Sequence, residues 1–182
     1  MGPDEHSRDA RFEDLFRDHV QAVHRYALRR DPAGADDIVA ETFAVAWRRL
    51  DDVPGGAAEL PWLLGVARRV CANALRGERR RAALAQRVAE EPSADPVAAG
   101  PDLGLREALS RLREPDRELL MLVYWEGLDH SAAASAMETT RANVAVRLHR
   151  ARRRLARELE RLGGDGRTVS TTIVAREEGQ HV

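Results

Sequence analysis

The sequence predicts an all-α chain of two small helical domains joined by a flexible acidic linker. Three observations predict it. From Arg11 to Arg81, and again from Leu103 to Leu162, apolar residues recur at spacings of three and four, the period of helices that bury one face. Between these stretches, residues 90–102 (EEPSADPVAAGPD) hold three prolines, four acidic residues and no aromatic residue, a composition that is well solvated and supplies no core. Residues 130–162 read as a short Ala-rich helix, a tight turn and a long helix with seven arginines from Arg147 to Arg161, which makes the second domain a helix-turn-helix domain. The boundaries drawn are 11–81 and 104–162 for the domains, 82–103 for the linker, and 163–182 for a tail expected to be disordered.

The chain has 182 residues and a formal net charge of -1, so its total charge demands no polyanionic partner. The distribution says more. Residues 62–81 carry +5 and residues 139–162 carry +6, whereas residues 82–103 carry -3. Two basic patches separated by an acidic connector suit a chain that touches a polyanion at two places. All 29 basic residues are arginine, which fits a GC-rich genome, so their positions and not their number carry weight.

Several function classes are set aside at this stage. Cys71 is alone, which leaves no disulfide framework and no cysteine zinc site. The six histidines fall in no recognisable ligand spacing. There is no Gly-rich phosphate loop, no nucleophile elbow and no carboxylate pair placed to titrate abnormally. Neither enzymatic activity nor a cofactor or metal is therefore expected. The opening MGPDEHSRD is polar and acidic, unlike a signal peptide. The longest strongly apolar run, Leu119–Trp125, is seven residues, against about 20 needed to span a bilayer. A cytoplasmic protein without membrane insertion is the expectation.

Taken in order, residues 1–10 are expected to be disordered. Phe12, Leu15, Phe16, Val20, Val23, Tyr26 and Ala27 give a first helix that ends before Pro32 and Gly34. His19 lies on its apolar face and reads as a buried, hydrogen-bonded histidine. A second helix spans about Asp36 to Leu50, with Val39, Phe43, Ala46, Trp47 and Leu50 as its buried stripe and Asp37, Glu41 and Arg48 outside. Ile38 and Val45 are apolar but off that stripe, which fits a docking surface or a two-sided core contact equally well. Asp51–Pro61 is a loop around Pro54-Gly55-Gly56. A third helix, Trp62 to about Arg81, buries Leu63, Leu64, Ala67, Val70, Cys71, Ala74 and Leu75, and carries Arg68, Arg69, Arg76, Arg79 and Arg80 opposite.

In the second domain, Leu105, Ala108, Leu109 and Leu112 define one helix. Pro115 opens the next, which stops at Gly127. Asp129 or Ser131 caps the short helix and Thr140 the long one. Val144, Leu148, Ala151, Leu155, Leu159 and Leu162 form the apolar stripe of the long helix, and its arginines mostly point the other way. Such a face suits a DNA groove, although an Arg-rich solvated helix closing a bundle has the same pattern.

Four segments resemble a bacterial RNA polymerase sigma factor of the extracytoplasmic-function group, the type with only regions two and four. They are FEDLFRDHVQAVHRYALRR (12–30), ADDIVAETFAVAWRRL (35–50), LPWLLGVARRVCANALRGERRR (60–81), and EGLDH followed by VAVRLHRARRRL (144–155). The resemblance implies that Asp37, Ile38, Glu41, Thr42 and Val45 form the face that docks on core RNA polymerase. It implies that loop 51–61 and the helix after it open the minus-ten element and capture an unstacked base of the non-template strand. Arg68, Arg69, Asn73, Arg76, Arg79 and Arg80 would then line the backbone. Trp62 reads as a core residue, with stacking on a base as the alternative.

For the long helix the resemblance implies reading of the minus-thirty-five element by Ala145, Val146, Arg147, His149 and Arg150, with Arg152, Arg153 and Arg154 nearer the phosphates. Arg150 is the candidate for a guanine, because bidentate arginine–guanine contacts are the commonest specific pairing. The implied partners are core RNA polymerase and promoter DNA, both duplex and melted. An anti-sigma factor is a further candidate partner, since family members are commonly held inactive by one. The chain departs from the family pattern at Glu138 and Ala142, where glycines are frequent, and at Ala145 and Val146, which are usually polar. Those last two changes predict a more shape-dependent selectivity. The reading weighed against this one is a stand-alone helix-turn-helix regulator binding a palindromic operator without polymerase; the third is an interaction module that no longer reads DNA.

Overall fold

The structure, a computed structural model, describes residues 3–85 and 103–162, with side chains over 6–77 and 104–162. Two compact units lie within residues 1–94 and 95–182. The described residues are helical throughout, apart from short turns and loops. Most of the proposed linker and the whole tail 163–182 fall outside the described residues.

The first unit is built from α1 (Pro3–Arg30), α2 (Ala35–Arg48) and α3 (Glu59–Ala85), each packed against the other two. Leu15, Val23, Tyr26 and Ala27 of α1 meet Phe43 and Ala46 of α2 and Leu63, Leu64, Ala67 and Cys71 of α3 in one core. A fully buried side chain of this size contributes about 1.5–3 kcal/mol. Few helix-forming residues could replace them without loss. Gly34 ends the turn between α1 and α2, where its N–H donates to Asp31 Oδ1 at 3.0 Å. A Cβ at position 34 would meet that carboxylate, so a larger residue there would displace the Asp31 side chain from this bond.

Three expectations for this unit are corrected. Residues 3–10, expected to be disordered, form the first turns of α1, which begins at Pro3, while residues 1 and 2 lie outside the described residues. Arg8 reaches Asp51 and the Trp47 carbonyl, a tertiary anchor that local sequence does not display. Trp47 is 39% exposed and does not belong to the buried stripe, whereas Ile38 is 2% exposed and Thr42 is fully buried. The buried face of α2 is thus turned toward Ile38 and Thr42, with the Thr42 hydroxyl donating to the Ile38 carbonyl at 2.6 Å. The stretch between α2 and α3 contains two short 3-10 turns, Leu50–Asp52 and Gly56–Ala58, and α3 starts at Glu59. His19 is partly buried, as its apolar setting suggests, and its Nε2 stands 2.9 Å from Glu59 Oε2.

The second unit consists of α4 (Leu103–Ser110), α5 (Glu114–Tyr124), α6 (His130–Ala136) and α7 (Arg141–Arg161). α7 packs against each of the other three. Val144, Leu148, Ala151, Leu155 and Leu159 of the stripe read from the sequence are buried and face the core, and Leu162, the C-cap of α7, is half-buried. Asp129 is the cap of α6, accepting from Ala132 N at 2.7 Å, and Thr140 caps α7, accepting from Asn143 N at 3.2 Å. Gly127, at φ 71°, turns the chain out of α5 so that Leu128 N–H bonds the Leu122 carbonyl at 3.0 Å.

The α6–α7 turn closes in a Schellman arrangement. Glu138 N–H bonds the Ser135 carbonyl at 3.1 Å and Thr139 N–H bonds the Ala134 carbonyl at 2.9 Å. This geometry needs a left-handed residue, and Glu138 supplies it at φ 53°. The position is the one where relatives of the resembled family often carry glycine. Glu138→Gly is expected to raise the stability of this unit by about 1 kcal/mol in denaturant unfolding, by relieving the left-handed strain. A loss of stability of that size would show that the glutamate side chain matters more than the backbone.

Burial pushes the Cys71 thiol up from its ordinary 9.0 to about 11, partly offset by the Arg30 guanidinium. A value raised on folding gives a contribution fully present below about pH 9 and lost as pH rises through about 11. In the folded protein at pH 8, Cys71 is expected to react with a thiol reagent only as fast as the chain unfolds. Rapid labelling with native circular dichroism intact would contradict its burial.

Candidate nucleic-acid and protein interfaces

One face of α7 is committed to the core, and that fixes what the other face offers. Ala145, Val146, Arg147, His149, Arg150 and Arg153 are all exposed, with Val146 at 53%. The Thr140 cap and the Asn143 Nδ2 bond to Thr139 Oγ1 at 3.3 Å hold the first turn, from which this face begins. An exposed helix N-terminus flanked by arginines is attractive to phosphate. Farther along, Arg157 Nε donates to the Arg153 carbonyl at 3.2 Å.

Arg154 is placed differently from its neighbours. It is half-buried and ion-paired with Asp116 of α5, whose side chain is only 9% exposed. A buried carboxylate without a cation is costly, so this arginine joins α5 to α7. Sequence reading put Arg154 with the phosphate-facing group because the pairing spans α5 and α7 and leaves no local signature.

In the first unit, α2 and α3 enclose an open groove of about 550 Å³. Asp37, Ile38, Glu41 and Val45 line it from α2, and Arg69, Val70 and Asn73 line it from α3. Residues assigned from the sequence to two separate roles are therefore neighbours across one groove. Asp37 and Glu41 are exposed, Val45 is half-buried, and Ile38 and Thr42 lie beneath them. Glu41 Oε1 is 2.9 Å from Arg48 Nη2, an exposed pair that contributes little to stability. On α3, Arg68 and Arg69 are half-buried and Arg76 is exposed, with its Nη2 2.5 Å from Asn73 Oδ1. Arg79 and Arg80 belong to α3 by position, and their side chains lie outside the described residues.

Sequence reading missed a partly exposed aromatic cluster. Phe12, Phe16, Phe43 and Trp47 stack in edge and tilted contacts, with Phe16–Phe43 at 4.7 Å and Phe12–Trp47 at 5.1 Å. The signal was present as two aromatic pairs at helical i, i+4 spacing. Trp62 is half-buried beneath Arg49, whose guanidinium carbon lies 5.7 Å from the ring centroid. Among the described residues no group of three His, Cys, Asp or Glu side chains could hold a metal, and no helix is long and apolar enough to cross a membrane.

Residues 15–81 match the family model of Sigma-70 region 2, and residues 103–155 match that of Sigma-70, region 4. The chain is 33% identical over 166 residues to the probable RNA polymerase sigma factor RfaY of Xanthomonas campestris pv. campestris, covering 82% of this chain and 42% of RfaY. It is 32% identical over 158 residues to the ECF RNA polymerase sigma factor SigL of Mycobacterium tuberculosis, covering 82% of this chain and 89% of SigL. A co-crystal structure of the sigma factor RpoE with the anti-sigma factor NepR from Bartonella quintana is similar at a TM-score of 0.64 and 25% identity, over 82% of this chain and 96% of that one. With both regions matched in order, and a relative spanned along 89% of its length, the chain belongs to the sigma-70 family of RNA polymerase sigma factors, in the extracytoplasmic-function (ECF) group.

Proposed function

We propose that the chain is an alternative sigma factor that binds core RNA polymerase and directs promoter recognition, strand opening and transcription initiation. The observation that carries this reading is the one-sided burial of α7, which leaves a contiguous cationic face on a helix-turn-helix unit. Ala145, Val146, Arg147, His149 and Arg150 read the duplex minus-thirty-five element, and Arg153 approaches its phosphates. Arg154 acts here by holding α7 against Asp116. Asp37, Glu41 and Val45 form the polymerase-docking face of α2, with Ile38 and Thr42 supporting it from below. The melted non-template strand of the minus-ten element follows the turn region 50–58 and the α3 residues Arg68, Arg69, Asn73, Arg76, Arg79 and Arg80.

This function calls for no catalytic group of the chain's own and places it in the cytoplasm with polymerase and DNA. The RpoE relative was solved with an anti-sigma factor, and we extend that class of partner to this chain. A stand-alone regulator is not favoured, because such a protein has no use for a region 2 unit in front of its helix-turn-helix.

Two substitutions separate the roles. Arg150→Ala is expected to lower transcription from minus-thirty-five-dependent promoters about tenfold, within the roughly 1–3 kcal/mol of one bidentate base contact, while affinity for core polymerase stays unchanged. Equal loss of polymerase affinity would count against base reading by Arg150. Combined Asp37→Arg and Glu41→Arg should abolish co-purification with core polymerase through charge reversal at the interface. Normal co-purification of that variant would remove the α2 docking assignment.

A further inference from the structure

The stretch joining α2 to α3 closes its first turn itself, with the Arg49 Nε bond to Asp52 Oδ2 at 2.9 Å and the Val53 N–H bond to the Leu50 carbonyl at 3.2 Å, but its tip has no side chain with which to do the same. Its buried anchors are Leu50 and Val53, and its tip is Gly55, Gly56, Ala57 and Ala58, all exposed. Gly56 sits at φ 63°, a conformation that glycine adopts at no steric cost. α1 supplies what the stretch lacks. Arg8 Nη1 is 3.1 Å from Asp51 Oδ2, its Nη2 donates to the Trp47 carbonyl at 3.3 Å, and its guanidinium carbon lies 5.6 Å from the centroid of the Trp47 ring. Arg11 Nη2 donates to the Val53 carbonyl at 2.6 Å. His19 Nε2 is 2.9 Å from Glu59 Oε2, and the other oxygen of that carboxylate accepts the Gly56 N–H at 3.2 Å. Positions 8, 11 and 19 fall on one face of α1, so a single rigid helix braces the stretch at its start, middle and end.

We propose that Arg8, Arg11 and His19 are positioning residues that pre-organise residues 50–58 for capture of an unstacked base of the melted non-template strand. The inference rests on the minus-ten reading given above. A tip of glycines and alanines offers a base chiefly backbone N–H and C=O groups, and their directions depend wholly on how the backbone is held. A glycine-rich loop that ordered only on binding would lose affinity to conformational entropy, and bracing it beforehand moves that loss into folding. Arg8 and Arg11 touch no strand themselves; they act through the Asp51 side chain and the Val53 carbonyl.

The test uses holoenzyme assembled from core polymerase and the full chain, with a fork-junction DNA taken from a promoter mapped for this holoenzyme. Its single-stranded non-template minus-ten segment carries 2-aminopurine to report unstacking. Arg8→Ala combined with Arg11→Ala is expected to weaken binding of the fork about tenfold and to remove the 2-aminopurine signal. Affinity for core polymerase and for duplex minus-thirty-five DNA should not change. Arg11→Lys, which keeps one donor for the Val53 carbonyl, should restore most of the binding when Arg8 is intact. Wild-type capture by the double variant would overturn the proposal. A parallel fall in core affinity would also overturn it, by showing a general folding role. Should the unmodified holoenzyme fail to capture the segment, the minus-ten reading itself falls, and the bracing role with it.

Discussion

Burial of Val144, Leu148, Ala151, Leu155 and Leu159 against α4, α5 and α6 sets the direction of every other side chain on α7. Each of the larger side chains contributes about 1.5–3 kcal/mol when fully buried, whereas an exposed arginine pair is worth at most about 1 kcal/mol. The apolar stripe therefore decides the rotation of the helix, and the arginines take what is left. What is left is a continuous cationic face, opened by a capped N-terminus. In the proposed function, DNA recognition is a consequence of core packing on the opposite side of the same helix.

The first unit obeys the same rule with a different outcome. Ile38, Thr42, Phe43 and Ala46 commit α2 to the core, so Asp37 and Glu41 are turned outward one helical turn apart. The α2–α3 groove then brings this acidic strip opposite Arg69 and Asn73 of α3. In the proposed function, polymerase docking and strand capture share a border across that groove.

Helical periodicity made much of this legible. The α7 stripe, the Thr140 cap, the first-turn proline at Pro115 and the break at Gly127 follow from local rules of spacing and capping, and all appear in the structure. What local rules could not display were pairings across elements. The N-terminal turns of α1 are ordered by Arg8 and Arg11 contacts with residues 47–53, far along the chain. Arg154 is drawn from the cationic face by Asp116. Trp47, expected in the buried stripe, is exposed, and Ile38, for which docking surface and core contact were equally open, is buried, because α2 is apolar on more than one face and composition alone does not choose which face meets α1 and α3. Glu138 was legible only through the resemblance, which marked the position as one where glycine is common; the positive φ gives the physical reason.

The most direct test is run-off transcription by purified core polymerase on a pool of promoter fragments from the host genome, with and without the chain. The expected result is new transcripts that depend on the chain, with start sites sharing two upstream elements at a constant separation. Failure to bind core polymerase, together with specific retention of duplex DNA by the chain alone, would contradict the assignment and return the helix-turn-helix unit to the service of a stand-alone regulator.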